Sequence, residues 1–235
     1  MMTADTSSAA GLVVGYAETE VLGPVDFSLR PGITALLGRN GAGKTTLMRT
    51  LCGIIPPLGG TCAVLGEPVS DGAAVRSRVG YLGHESALAS SLTVRQNLEF
   101  WSTVTRTYPD AVSVSVDRLV REFDLTALLE RKASALSRGQ RQRVDLARLA
   151  MTEPRFVVLD EPLTGLDPVY AARTRALLSA WGERRTVLYS THSVPEALAL
   201  ARRFLVLGAR GLVELDSERE PVSEARILRL LEADS

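Results

Sequence analysis

Two textures alternate along this chain. Short apolar runs are followed by stretches in which apolar residues recur every three or four positions, and the two predict different elements. Ile33–Leu37 (ITALL), Phe156–Leu159 (FVVL) and Thr186–Tyr189 (TVLY) are too short for helices and read as strands buried in a sheet. After the first of them a glycine-rich turn leads to a helix expected from about Thr45 to Cys52, stopped by Gly53 and the following PPLGG. In the middle of the chain Thr93 and Gln96 form a capping-box pattern, and Leu98, Trp101 and Val104 or Thr105 follow at helical spacing. A second helix is expected over Val116–Phe123. The chain from about 85 to 139 therefore reads as helical, set into a surrounding α/β pattern that implies a mostly parallel sheet. FLVLGARGLVEL, from Phe204, reads as a closing hairpin, and a short terminal helix is expected within about 222–232.

There is no internal repeat and no linker-like tract, so one domain is expected over 10–235, its core at about 10–84 and 140–215. Lysine plus arginine equals aspartate plus glutamate at 27 each, which removes the basic excess of nucleic-acid binders; no nucleic-acid partner is expected. The opening MMTADTSSAA has no secretory pattern, and no apolar run approaches the roughly 18 residues of a membrane span, so a cytoplasmic protein is expected. Cys52 and Cys62 stand apart from any CxxC or histidine cluster and are expected to be small buried residues.

Chemistry enters at the ends of the predicted strands. Gly38-Arg39-Asn40-Gly41-Ala42-Gly43-Lys44-Thr45 fits GxxxxGK[ST] and lies between a strand and a helix, where such a loop must lie. Its glycines let backbone N–H groups converge on phosphates, Lys44 neutralises them, and Thr45 offers a hydroxyl to Mg²⁺. FVVLDEP delivers Asp160, suited to a magnesium site, and Glu161, suited to polarising an attacking water. Alone this pattern is only moderately specific, because strands often end in acidic turns. The two histidines, His84 (VGYLGH) and His192 (TVLYSTH), each follow a predicted strand and could bond a transferring phosphoryl group; a lone loop histidine is more often an ordinary surface residue. LSRGQ, residues 136–140, opens a helix and looks built to hold an anion.

In this order the motifs resemble the ATP-binding cassette family over essentially the whole chain. The resemblance implies an α/β P-loop NTPase (RecA-like) core with an N-terminal antiparallel β region and an inserted α-helical subdomain. It implies ATP and Mg²⁺ as cofactors, with nucleotide held by Tyr16 and Gly38 through Thr46, magnesium by Thr45, Asp160 and His84, and catalysis by Glu161, His192 and Lys44. LTGLD, with Asp167, matches the D-loop. LSRGQ matches the signature, whose Ser137, Gly139 and Gln140 would act on ATP bound by a second cassette, so that each site is completed by a partner. Two positions depart from the family pattern. Arg138 replaces the usual signature glycine, and His84 stands where most members carry glutamine, with Glu85 an alternative if the loop is shifted by one residue. YLGH is similar to the ATPases of cytochrome c maturation.

A cassette without its own span implies a separate membrane permease, with this chain peripheral on the inner face of the cell membrane. GLDP and LTVRQNLEFW resemble cassettes of bacterial exporters, and the permease would dock near His84 to Leu98. Leu98 and Trp101 could line that groove or pack inside the helical region. A soluble mechanochemical ATPase is the alternative; a regulatory subunit with little hydrolysis is disfavoured by the intact Glu161 and His192.

Overall fold

The computed structural model describes residues 7–107, 114–208 and 210–232. Ala209, inside the expected closing hairpin, lies outside them, as do 108–113 of the expected helical region and 233–235 of the expected domain. The chain opens with a long hairpin, β1 (Ser7–Tyr16) and β2 (Thr19–Leu29), then passes through β3 (Gly32–Gly38) into α1 (Lys44–Leu51). β4 (Gly59–Val64), β5 (Glu67–Pro68) and α2 (Gly72–Arg76) lead to β6 (Val79–Leu82). The helices α3 (Val94–Thr105), α4 (Val116–Glu122) and α5 (Arg138–Ala150) follow. β7 (Phe156–Leu159), α6 (Pro168–Gly182), β8 (Thr186–Thr191), α7 (Val194–Leu200), the antiparallel pair β9 (Arg203–Gly208) and β10 (Gly211–Asp216), and α8 (Glu224–Glu232) complete it.

Two sheets result. An antiparallel sheet has the order β2-β1-β4-β5, and a larger sheet has the order β10-β9-β3-β8-β7-β6, parallel except for β10. The central strands are apolar on both faces because both faces are covered, and their side chains alternate between two cores. Phe156 and Val158 of β7, Leu36 of β3, Leu188 of β8 and Leu205 of β9 meet Leu47, Met48 and Leu51 of α1 and Leu12, Val14 and Phe27 of the antiparallel sheet. Val157, Leu159, Leu37, Val187 and Phe204 face the other way, toward Leu98, Leu119, Val144, Leu178 and Ala197 of the remaining helices. Cys52 and Cys62 are free and buried, both within the first core.

Phe156 has no exposed surface. Truncating it to alanine should cost ~3–5 kcal/mol, the lost transfer energy plus a cavity that rigid strands cannot close. Urea unfolding of Phe156→Ala should show the lowered midpoint with an unchanged slope.

α3 begins at the expected capping box, in which Thr93 Oγ1 accepts from the Gln96 N–H (3.2 Å) and Gln96 Oε1 accepts from the Thr93 N–H (2.9 Å). Leu98 is fully buried, whereas Trp101 is half-buried under the Arg148 guanidinium, 4.9 Å from its ring centre. The outward-facing aromatic on α3 is Phe100. α5 starts near the expected boundary at 139 and packs against α3, α4 and β6, so one unbroken helix joins the helical region to the sheet.

Candidate active site

Parallel pairing decides where the chemistry collects. Leu82 is in register with Leu159, Leu159 with Tyr189, and Leu36 with Ser190, so β6, β7, β8 and β3 end at one edge of the sheet. The residues just beyond those ends are His84, Asp160 and Glu161, His192, and the loop 38–43. A crevice outside the carboxyl ends of parallel strands is where such a sheet binds ligand.

The loop from β3 folds into a left-handed path at Gly41 (φ +83°) and Gly43 (φ +90°). A β-carbon on Gly43 would come within 3.0 Å of Leu22 Cβ, so glycine is required there by both backbone and space. Gly43 is the N-cap of α1, leaving the first N–H groups of that helix at the cleft. The cleft is walled by Asn40, Gly41, Gly43, Lys44, Thr45, Thr46, Val21, Asp160 and Glu161. Lys44 Nζ donates to the carbonyls of Gly38 (2.6 Å) and Arg39 (2.9 Å). Burial lowers its pKa from the usual lysine value, and the nearby Glu161 and Asp160 carboxylates oppose that shift. Gly38 and Ala42 lie at the base of the loop, and Arg39 is exposed.

A continuous chain of hydrogen bonds crosses the cleft floor. Thr45 Oγ1 donates to Asp160 Oδ2 (2.7 Å), Ser190 Oγ donates to Asp160 Oδ1 (2.6 Å), and the Glu161 N–H donates to Ser190 Oγ (2.8 Å). Glu161 has φ +51°, a left-handed conformation rare for a non-glycine residue and typical of constrained active-site positions. Its Oε1 lies 3.7 Å from His192 Nδ1, and His192 itself is exposed. Sequence reasoning missed Ser190. Its only signal is a hydroxyl two positions before His192, and its role depends on the register of β7 against β8.

Thr45 and Asp160 present hard oxygen donors 2.7 Å apart, which fits magnesium, an ion that takes one or two protein oxygens and leaves its other positions to water and phosphate. Among the described residues no group of three or more His, Cys, Asp or Glu side chains could hold a metal by itself. His84 is exposed and lines a second cavity with Asp160, Glu161, Arg138, Arg141 and Asp145; Glu85 does not line it. Tyr16 ends β1, exposed, its hydroxyl accepting from Arg49 (3.4 Å), and is not in the cleft wall.

The signature opens α5. Ser137 Oγ accepts from the Gln140 N–H (3.2 Å), and Gln140 Oε1 accepts from the Ser137 N–H (3.0 Å), a second capping box like that at Thr93. The Gln140 side chain is thus turned back on its own helix start, while the exposed Ser137 hydroxyl keeps its proton free to donate. A β-carbon on Gly139 would meet Leu166 at 3.4 Å and Tyr170 at 3.9 Å, ordinary contacts. Arg138 lies close to Gly165 of the D-loop, and Gln142 Nε2 donates to the carbonyl of Pro162, the residue just before that loop. Asp167 closes that loop as N-cap of α6, its Oδ1 accepting from Val169 (3.0 Å) and Tyr170 (3.1 Å). Ser137, Gly139 and Gln140 are all absent from the wall of the phosphate cleft.

A phosphate-cradling loop facing an Asp-Glu pair at the mouth of a parallel sheet defines a P-loop nucleotide hydrolase. The ABC transporter family model matches residues 22–164, and the chain belongs to that family of ATP-hydrolysing transport subunits. It is 33% identical to an uncharacterized ABC transporter ATP-binding protein of Rhizobium meliloti, over 98% of this chain and 87% of that one. It is 29% identical to the lipopolysaccharide export system ATP-binding protein LptB of Haemophilus influenzae, over 95% of each. It is also 36% identical to the sulfate/thiosulfate import ATP-binding protein CysA of Mycobacterium bovis, over 82% of this chain but 56% of that one. The solved ATP-binding subunit of an ABC transporter has the same fold, with a TM-score of 0.82 over 96% of this chain and 98% of that one at 24% identity.

Proposed function

We propose that this chain is the ATPase of an exporter, that it hydrolyses MgATP at composite sites formed with a second cassette, and that it drives a separate membrane permease. The observation that carries the composite site is the separation of Ser137 and Gly139 from the cleft of their own chain, on a capped and exposed helix start. The Ser137 hydroxyl is then exposed and open to a phosphate that another chain supplies, with the Gly139 N–H beside it at the helix start. Export rests on the motif resemblance and on the near-complete mutual coverage with LptB.

At each site Lys44 leaves its loop carbonyls to neutralise the β and γ phosphates, and Thr46 and the α1 N–H groups hold the phosphate oxygens. Magnesium, held by Thr45 and Asp160, would neutralise charge on the transferring phosphoryl group. Glu161 orients the water and takes the proton it gives up, and His192 donates to a γ-oxygen; the P–O bond to ADP breaks as the bond to water forms. Tyr16 would stack on the adenine, and His84, where the sheet meets the helical region, would offer a ring nitrogen to the magnesium or its water. The Arg138 side chain runs close to Gly165 of the D-loop of its own chain. The permease would dock between the sheet and α3, near His84 and the exposed Phe100. No helix among the described residues is long and apolar enough to cross a membrane.

Affinity purification of the tagged chain from detergent-solubilised membranes should recover a polytopic partner that stimulates ATP turnover. Recovery of ribosomes or nucleic acid with no membrane protein would contradict the reading.

A further inference from the structure

The fully buried Ser190 belongs to no motif of the phosphate loop, the acidic pair, the signature or the switch histidine. We infer that it is a positioning residue that sets both acids at once, Asp160 through its side chain and Glu161 through its backbone. The inference rests on the roles given above to those two acids.

A serine hydroxyl has one proton and two lone pairs. The proton goes to Asp160 Oδ1 at 2.6 Å, which fixes the carboxylate plane and turns Oδ2 toward Thr45. A lone pair takes the Glu161 N–H at 2.8 Å, which holds that residue at φ +51° and so aims its side chain at His192. One atom therefore fixes the separation of the metal-side oxygen from the water-side carboxylate. The bonds run in one direction, from Glu161 N–H through Ser190 to Asp160, and such chains reinforce one another in a buried site. Ser190 is in register with Leu36 of β3, so its height at the sheet edge is set by the strand that carries the phosphate loop. Without the hydroxyl, Asp160 loses a short charge-assisted bond and rotates, and a left-handed Glu161 loses the acceptor that keeps it there.

Threonine and valine test this, because they match in volume and differ in the hydroxyl. Crowding by the added methyl is common to both, and Ser190→Ala supplies an uncrowded third variant. Two readouts are compared: turnover at saturating ATP, and the gain in ATP affinity on replacing EDTA by Mg²⁺, measured by calorimetry without hydrolysis. Ser190→Thr should keep both within about threefold of the parent. Ser190→Val and Ser190→Ala should lose about 100-fold in turnover at saturating MgATP and about tenfold of the magnesium gain, the second loss appearing also as a raised KM for MgATP. Equal behaviour of the threonine and valine variants, with alanine like the parent, would overturn the role of Ser190. Asp160→Asn separates the two levels. If it keeps the magnesium gain, the role of Asp160 itself is wrong; if it loses the gain while Ser190→Val keeps it, only Ser190 is misassigned.

Discussion

Glu161→Gln should lower ATP turnover by at least about a hundredfold, the usual contribution of a positioned general base, while leaving ATP binding intact. The substitution is isosteric and non-glycine, so it keeps the left-handed backbone, the 2.8 Å bond from its N–H to Ser190 and the packing of the cleft floor. What it removes is the charged oxygen that orients and polarises water, 3.7 Å from His192. It also removes one negative charge beside the γ-phosphate, so affinity for ATP should be unchanged or tighter. Single-turnover hydrolysis measured beside equilibrium ATP binding separates the two effects. Loss of ATP affinity in step with turnover would mean that Glu161 supports the cleft rather than the chemistry.

Ser137→Asp should be as damaging, by a different route. Aspartate is as good an N-cap as serine, so α5 keeps its start and the bond from the Gln140 N–H. A carboxylate, however, replaces a hydroxyl donor at the point proposed to meet the partner's γ-phosphate. Like charges brought to contact in a closing, water-poor interface cost several kcal/mol, so turnover should fall by about 100-fold or more while the purified chain binds ATP as before. Ser137 is exposed and absent from the chain's own cleft wall, so a loss of ATP binding by the monomer would place the signature in the wrong site.

Much of the site was legible because its parts are local. The strand ITALL, the glycine turn and Lys44 form one uninterrupted motif, and the structure places it at the mouth of the sheet with FVVLDE and TVLYSTH beside it. The hydroxyl of Ser190 was illegible because its meaning comes from β7 lying against β8, a pairing of residues some thirty positions apart. Gln140 shows a different limit. Its SRGQ spacing is the same capping pattern as at Thr93 to Gln96, and in the isolated chain both boxes are closed, a local pairing that spacing alone does not separate from an anion site. α6, fifteen residues long, carries a clear start signal in Asp167-Pro168 yet has a weakly one-sided pattern, burying Thr174, Leu178 and Trp181 among exposed residues.

The central claim is that one cassette's phosphate loop works with another's signature. It is tested most directly by mixing two inactive chains, one carrying Lys44→Ala and the other Ser137→Asp. Neither alone should turn over ATP, because each pair lacks either the cradle lysine or a usable signature at both sites. A mixed pair contains one complete site, built from the unaltered phosphate loop of the second chain and the unaltered signature of the first. With random two-fold pairing, an equal mixture should recover about a quarter of the parent turnover. No recovery from mixtures that demonstrably form mixed pairs, or full activity of the Ser137→Asp chain alone, would contradict the shared site.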